Sequence, residues 1–119
     1  PHPLPAVPPH DRSRVFYYSI FPNLFLTLLP DYAMWHTLEP LAEDHTRITC
    51  EWLFPANAPE AGAKNAVAFW DVTNRQDWDI VERSQLGISS RRYLPGPYSA
   101  RESIPAAWDR EYLRQMQLQ

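Results

Sequence analysis

Residues 63–87 (AKNAVAFWDVTNRQDWDIVERSQLG) limit what this chain can fold into more than any other stretch. At ~100° per residue, an α-helix sorts them into two faces. Asp71, Arg75, Asp79 and Arg83 recur every four residues with alternating sign, the spacing of i,i+4 ion pairs on a solvated face. Opposite them lie Ala66, Trp70, Thr73, Asp77, Ile80 and Ser84, and Asp77 is the one charged residue of that stripe. A carboxylate turned towards a core requires a cation, several hydrogen-bond donors or a metal. The pattern alone leaves three readings open: a buried and satisfied Asp, a helix rolled so that Asp77 is half wet, or a metal ligand.

Upstream of this helix the chain reads as strands. Residues 14–21 (RVFYYSIF) are β-branched and aromatic and fit a pleated surface. Pro22-Asn23 breaks that run, and residues 24–29 (LFLTLL) suit a strand covered on both sides. Pro30-Asp31 is a turn signal, and residues 33–38 (AMWHTL) form the next strand. Here His36 reads as a pocket-wall residue or as a substrate contact. After a polar turn at residues 42–45, residues 46–54 alternate: Ile48, Cys50, Trp52 and Phe54 share one face, and Arg47, Thr49 and Glu51 the other. Short connections between such strands make an antiparallel meander. Cys50 on the apolar face reads as packing.

Residues 55–62 lead into the helix, and Gly87 is the expected stop. Pro95-Gly96-Pro97 is a firm break. Ser99 and Glu102 have capping-box spacing, but Pro105 is tolerated only in a first turn, so the last helix is placed to start at Ser103. Its stripe of Ile104, Trp108, Tyr112 and Met116 is a docking face. Strands followed by a long helix laid across them give an α+β fold: a curved antiparallel sheet gripping a helix, then a C-terminal helix. Between sheet and helix this geometry leaves a cavity, into which Asp77 is expected to point. Residues 1–13 hold five of the thirteen prolines and read as a separate, extended or disordered arm. A metal cluster of His2, His10 and Asp11 is disfavoured there, because a mobile arm lacks fixed ligand geometry.

Composition narrows the function. The 119 residues suit one domain, 45% are hydrophobic, and five Trp, six Tyr and five Phe suit an aromatic-lined cavity. A net charge of −3 with no Lys/Arg-rich run argues against nucleic acid. No apolar run reaches the ~18–20 residues of a membrane span. Cys50, the only cysteine, permits no intrachain disulfide, which points to a reducing, cytoplasmic setting. Alone it holds neither an iron–sulfur cluster nor a structural zinc. The absence of an initial Met hints at a fragment or a processed product.

Several stretches together resemble one family. They are Phe69-Trp70-Asp71, Gln76-Asp77-Trp78-Asp79-Ile80-Val81-Glu82, Ser84-Gln85-Leu86-Gly87, and Tyr93-Leu94-Pro95-Gly96-Pro97-Tyr98-Ser99 with Glu102. Phe21-Pro22-Asn23-Leu24, Pro30-Asp31-Tyr32 and Cys50-Glu51-Trp52-Leu53-Phe54 fit the same group. From about Val15 onwards the chain is similar to the C-terminal part of the catalytic domain of Rieske-type non-haem iron oxygenase α subunits. These are the aromatic-ring-hydroxylating dioxygenases and their relatives, and the likeness leans to the quaternary-amine, glycine-betaine branch.

The resemblance implies a helix-grip fold over residues 14–119, with mononuclear Fe(II) bound by two His and one carboxylate. Asp77 occupies the carboxylate position, and Val67, Trp70 and Thr73 would line the substrate pocket. The two His, and the Cys/His pairs of a Rieske two-iron two-sulfur cluster, have no counterpart in this chain, so no complete catalytic set is expected and the segment alone should be inactive. For the parent protein the resemblance implies O2 and a small organic substrate, an electron-transfer reductase or ferredoxin, and a homo-oligomer, a trimer. Its chemistry would be hydroxylation of an aromatic substrate or oxidative demethylation of a quaternary amine. The alternatives are a non-catalytic small-ligand-binding helix-grip domain and a truncated relic.

Overall fold

A computed structural model describes residues 4–117. Four strands form an antiparallel meander in sequence order: β1 (Phe16–Ile20), β2 (Leu24–Leu28), β3 (Ala33–Ala42) and β4 (His45–Leu53). A long helix, α1 (Glu60–Ile88), and a C-terminal helix, α2 (Ser103–Gln115), follow. The fold is therefore α+β, as the residue pattern predicts.

Register places two sets of side chains on opposite faces. Thr27 opposes Met34, Met34 opposes Trp52, and His36 opposes both Phe25 and Cys50. Side chains alternate across a strand, so these residues share one face. It is the better-covered face: Ile48, Cys50 and Trp52 are half-buried while Thr49 and Glu51 are exposed. Met34 is the centre of the core at 0% exposure, with Tyr32 and Thr27 also buried. The other face is polar towards β4, where Trp35 Nε1 donates to Glu51 at 2.8 Å and Arg47 pairs with Glu39 at 3.0 Å.

The β3–β4 hairpin is longer than the sequence suggests. Ala42 pairs with His45, so the turn is only Glu43-Asp44, and Pro40 lies inside the strand opposite Thr46, beside a register shift. Proline has no N–H to donate and is confined to strand edges or bulges. Pairing of β2 with β3 ends at Thr37, so Pro40 faces an open edge and costs no ladder bond. Strand β1 is shorter than residues 14–21, ending before the turn through Pro22.

The start of the chain departs from an extended arm. Leu4 N–H donates to the Pro30 carbonyl at 2.8 Å, and Pro9–Asp11 forms one 3-10 turn. His10 lies 3.3 Å from Asp11, which also pairs with Arg14. His2 lies outside the described residues.

Helix α1 begins one turn earlier than expected, after Pro59, and runs one residue past Gly87, which has no left-handed φ. Gly87 therefore does not stop it. A helix of 29 residues is roughly 43 Å long, whereas four strands about 4.8 Å apart make a sheet less than ~20 Å wide. One end must overhang. Ala63, Ala66, Val67, Trp70, Thr73, Asn74 and Trp78 are buried or half-buried, but beyond Trp78 every residue except Gln85 is exposed. Principal extents of 52 × 26 × 24 Å reflect that overhang.

Helix α2 starts at Ser103, as the Pro105 argument requires, with the Ser99 N–H donating to the Glu102 carboxylate at 2.7 Å just before it. It docks through Trp108, whose ring centroid lies 5.5 Å from that of Phe21. No helix among the described residues is long and apolar enough to cross a membrane.

Candidate functional site

Two polar ties fasten the front half of α1 to the sheet, one helical turn apart. Trp70 Nε1 donates to the Tyr32 hydroxyl at 2.7 Å. Tyr32 in turn packs on Phe54, with centroids 5.1 Å apart. Burial pushes the Tyr32 phenol above its usual range, against the lowering effect of the Trp70 hydrogen bond, so the hydroxyl stays neutral and available as an acceptor.

The second tie is Asn74, the one buried residue of α1, at 7% exposure. Its Oδ1 lies 3.4 Å from His36 Nε2, and its Nδ2 donates to Cys50 Sγ at 3.5 Å. Oδ1 can only accept, so this contact is a hydrogen bond in the ring form that carries a proton on Nε2. His36 and Cys50 are cross-strand partners on β3 and β4, so one amide spans both strands. Burial raises the Cys50 thiol pKa, and the Asp71 carboxylate raises it further. A protonated, half-buried thiol is a packing group and a weak acceptor, in keeping with the sequence reading.

Asp77 is three residues on, about 60° round the helix from Asn74. Its direction is close to that of the sheet-facing stripe, but it is exposed. The expectation of a carboxylate buried between helix and sheet is therefore corrected. So is the burial of Ile80 (61% exposed) and Ser84 in the same stripe. For Ile80 and Ser84 the physical reason is length, since cover ends at Trp78; Asp77 lies on the last covered turn, where its neighbour Trp78 is half-buried while its own side chain is open to solvent. Among the described residues Asp77 makes no hydrogen bond or ion pair, unlike Asp71 and Asp79, which pair with Arg75 and Arg83 at 2.9 and 2.8 Å.

That free carboxylate suits one oxygen donor of a metal site. No three His, Cys, Asp or Glu among the described residues are grouped to hold an ion. The described chain thus offers a single donor and not a complete set.

Val67, Trp70 and Thr73 are each half-buried on α1. The Trp70 N–H is taken by Tyr32, and the Thr73 hydroxyl donates back to the Phe69 carbonyl at 3.0 Å. None of the three lines either of two open hollows of about 490 and 480 Å³, which lie between the β1–β2 side of the sheet and α2. Tyr17, Tyr18, Ile104 and Trp108 line both.

Sequence reasoning missed Asn74 and Tyr32. A signal for Asn74 was present: it follows Trp70 by four residues, and so shares its side of the helix.

Comparison with known proteins extends the local picture. The family model for the ring hydroxylating alpha subunit (catalytic domain) matches residues 2–118. The glycine betaine monooxygenase oxygenase subunit of Pseudomonas aeruginosa is 37% identical over 82 residues, covering 66% of this chain and 19% of that protein. The protein of the same name from Chromohalobacter salexigens is 35% identical over 81 residues, covering 66% of this chain and 18% of its own length. The chain thus spans about a fifth of the length of these curated relatives.

Proposed function

Because the chain belongs to the ring hydroxylating alpha subunit (catalytic domain) family, we propose that it is the C-terminal part of the catalytic domain of a terminal oxygenase. Residues 14–119 would form that part, with Asp77 as the carboxylate ligand of a mononuclear Fe(II). The observation that carries the reading is the Asp77 carboxylate, without a partner among the described residues, held on the last covered turn of α1 beside the half-buried Trp78. The two remaining protein ligands, and a Rieske cluster, would come from residues outside these 119. Fe(II) so held would supply O2 activation for hydroxylating an aromatic substrate or demethylating a quaternary amine.

The chain's own residues have defined parts in this reading. Asp77 contributes a negative charge and one donor oxygen. The ties through Trp70 and Asn74 fix the helix that carries it. Val67, Trp70 and Thr73 would face the substrate side, where an indole can hold a quaternary ammonium by cation–π contact or stack on an aromatic ring. The glycine betaine monooxygenase subunits favour the amine. The whole protein would work as a homo-oligomer, a trimer, supplied with electrons by a reductase or ferredoxin.

The test is substrate-dependent O2 consumption by the full-length protein with its reductase, offered glycine betaine and, separately, benzoate. Demethylated product from glycine betaine with matched O2 uptake is expected. Hydroxylated benzoate instead would move the substrate class to aromatics. Tight binding of either compound without iron or O2 uptake would replace the oxygenase reading with a ligand-binding one.

A further inference from the structure

We propose that Asn74 is a positioning residue that sets the roll of α1 and thereby aims Asp77. The inference rests on the reading of Asp77 as an iron ligand.

The argument starts from the difference between apolar and amide contacts. Hydrophobic burial is non-directional. A helix held only by Ala63, Ala66, Val67 and Trp78 against a sheet would lose little by rolling a few degrees. An amide with both ends engaged is directional. Asn74 Oδ1 meets His36 Nε2 on β3, and Asn74 Nδ2 meets Cys50 Sγ on β4. Roll in either direction lengthens one of these contacts, which stand at 3.4 Å to His36 Nε2 and 3.5 Å to Cys50 Sγ. The Trp70–Tyr32 bond acts one turn earlier on the same side. Beyond Asn74 the only half-buried residues of α1 are Trp78, next to Asp77, and Gln85; among the described residues neither side chain makes a directional bond that would fix the roll.

The lever is short. Asp77 is three residues from the clamp, ~4.5 Å along the axis. A carboxylate carried ~6 Å from that axis moves about 1 Å for each 10° of roll, which is enough to spoil a preorganised site. Choosing Asn for the most buried position of an exposed helix is otherwise costly, since an apolar residue of similar size buries no polar group.

The experiment uses the full-length protein reconstituted with ferrous iron. Fe(II) affinity is read by competition with a chelator, and stability by urea unfolding. Asn74→Leu keeps the branched outline of the side chain and removes both contacts. The expected result is a loss of iron affinity of about tenfold or more, in the range seen when groups that orient metal ligands are removed. Met34→Ala lowers stability without touching the clamp and calibrates what stability loss alone does to iron; its affinity should stay within about twofold of native, well short of the orienting-group range. Should Asn74→Leu fail to fold, Cys50 supplies the same test. Cys50→Ala removes the acceptor for Asn74 Nδ2 and should weaken iron, whereas Cys50→Ser retains an acceptor and should hold it as the native protein does.

Native affinity in Asn74→Leu, or a loss no greater than its stability predicts from Met34→Ala, overturns the proposal. So does equal affinity in Cys50→Ala and Cys50→Ser. Asp77→Asn, measured alongside, separates the two layers. Iron lost there but kept in Asn74→Leu removes the clamp alone, while iron kept in Asp77→Asn removes the ligand reading on which the clamp rests.

Discussion

Helix α1 is one element with two environments. From Ala63 to Trp78 it lies on the sheet, fastened by Trp70 to Tyr32 and by Asn74 to His36 and Cys50. From Asp79 onwards it has almost no cover: Val81 is 65% and Leu86 77% exposed. Both halves have comparable intrinsic helix propensity, and ion pairs on their outer face at Asp71–Arg75 and Asp79–Arg83. The difference is tertiary. The front half is held by packing and directional bonds, whereas the back half is held by its own backbone hydrogen bonds and continuity with the front. Asp77 sits at the join. A ligand there gains the rigidity of the fastened half and the accessibility of the free one.

Mutations should separate the halves in graded steps, each read by urea unfolding. The largest loss is expected from Met34→Ala, about 3 kcal/mol, because a fully enclosed side chain beneath the front half leaves a cavity. A loss under about 1 kcal/mol would mean that the core lies elsewhere. Tyr32→Phe removes the acceptor of the Trp70 N–H and should cost about 1 kcal/mol. Val81→Ser, one turn past Asp77 and open to solvent, should change stability by less than about 0.5 kcal/mol in this chain. In the full-length protein the same change probes whether the back half acquires cover, where the cost should rise above about 1 kcal/mol. Asp79→Asn breaks one exposed pair and should cost only a few tenths of a kcal/mol, in keeping with surface i,i+4 pairs. A larger effect would show that the outer face is not simply solvated.

Most of the fold was legible because it is written in periodicity. The alternation of Ile48, Cys50 and Trp52 sets the face of β4, and the register of β3 follows from it. Pro105 fixed the start of α2. What the pattern could not supply was extent. The strand read over residues 33–38 runs on through Pro40 to Ala42, because a proline on an unpaired edge is permitted. Gly87 looked like a stop, yet a glycine stop takes a left-handed backbone that this glycine does not adopt, and the helix ends two residues on at a right-handed Ser89.

The same limit explains the site. A helical wheel gives the direction of Asp77, and that direction is right. It does not say how far the sheet reaches beneath the helix, so it assigned burial to Ile80 and Ser84, beyond the covered span, and to Asp77 on its last turn. Asn74 was overlooked for the converse reason: its polarity hid a central position in the stripe, and the partners that satisfy it, His36 and Cys50, come from strands 38 and 24 residues upstream. Sequence likeness, carried by the run from Gln76 to Gly87, brought Asp77 to attention for a reason that periodicity does not contain.

The most direct test is the iron content and turnover of Asp77→Asn in the full-length protein, with urea unfolding measured on the same samples. Asp77 is exposed and makes no bond among the described residues, so the amide should leave the unfolding midpoint in place while iron falls to background and turnover is lost. Native iron stoichiometry and native turnover in that variant would contradict the account.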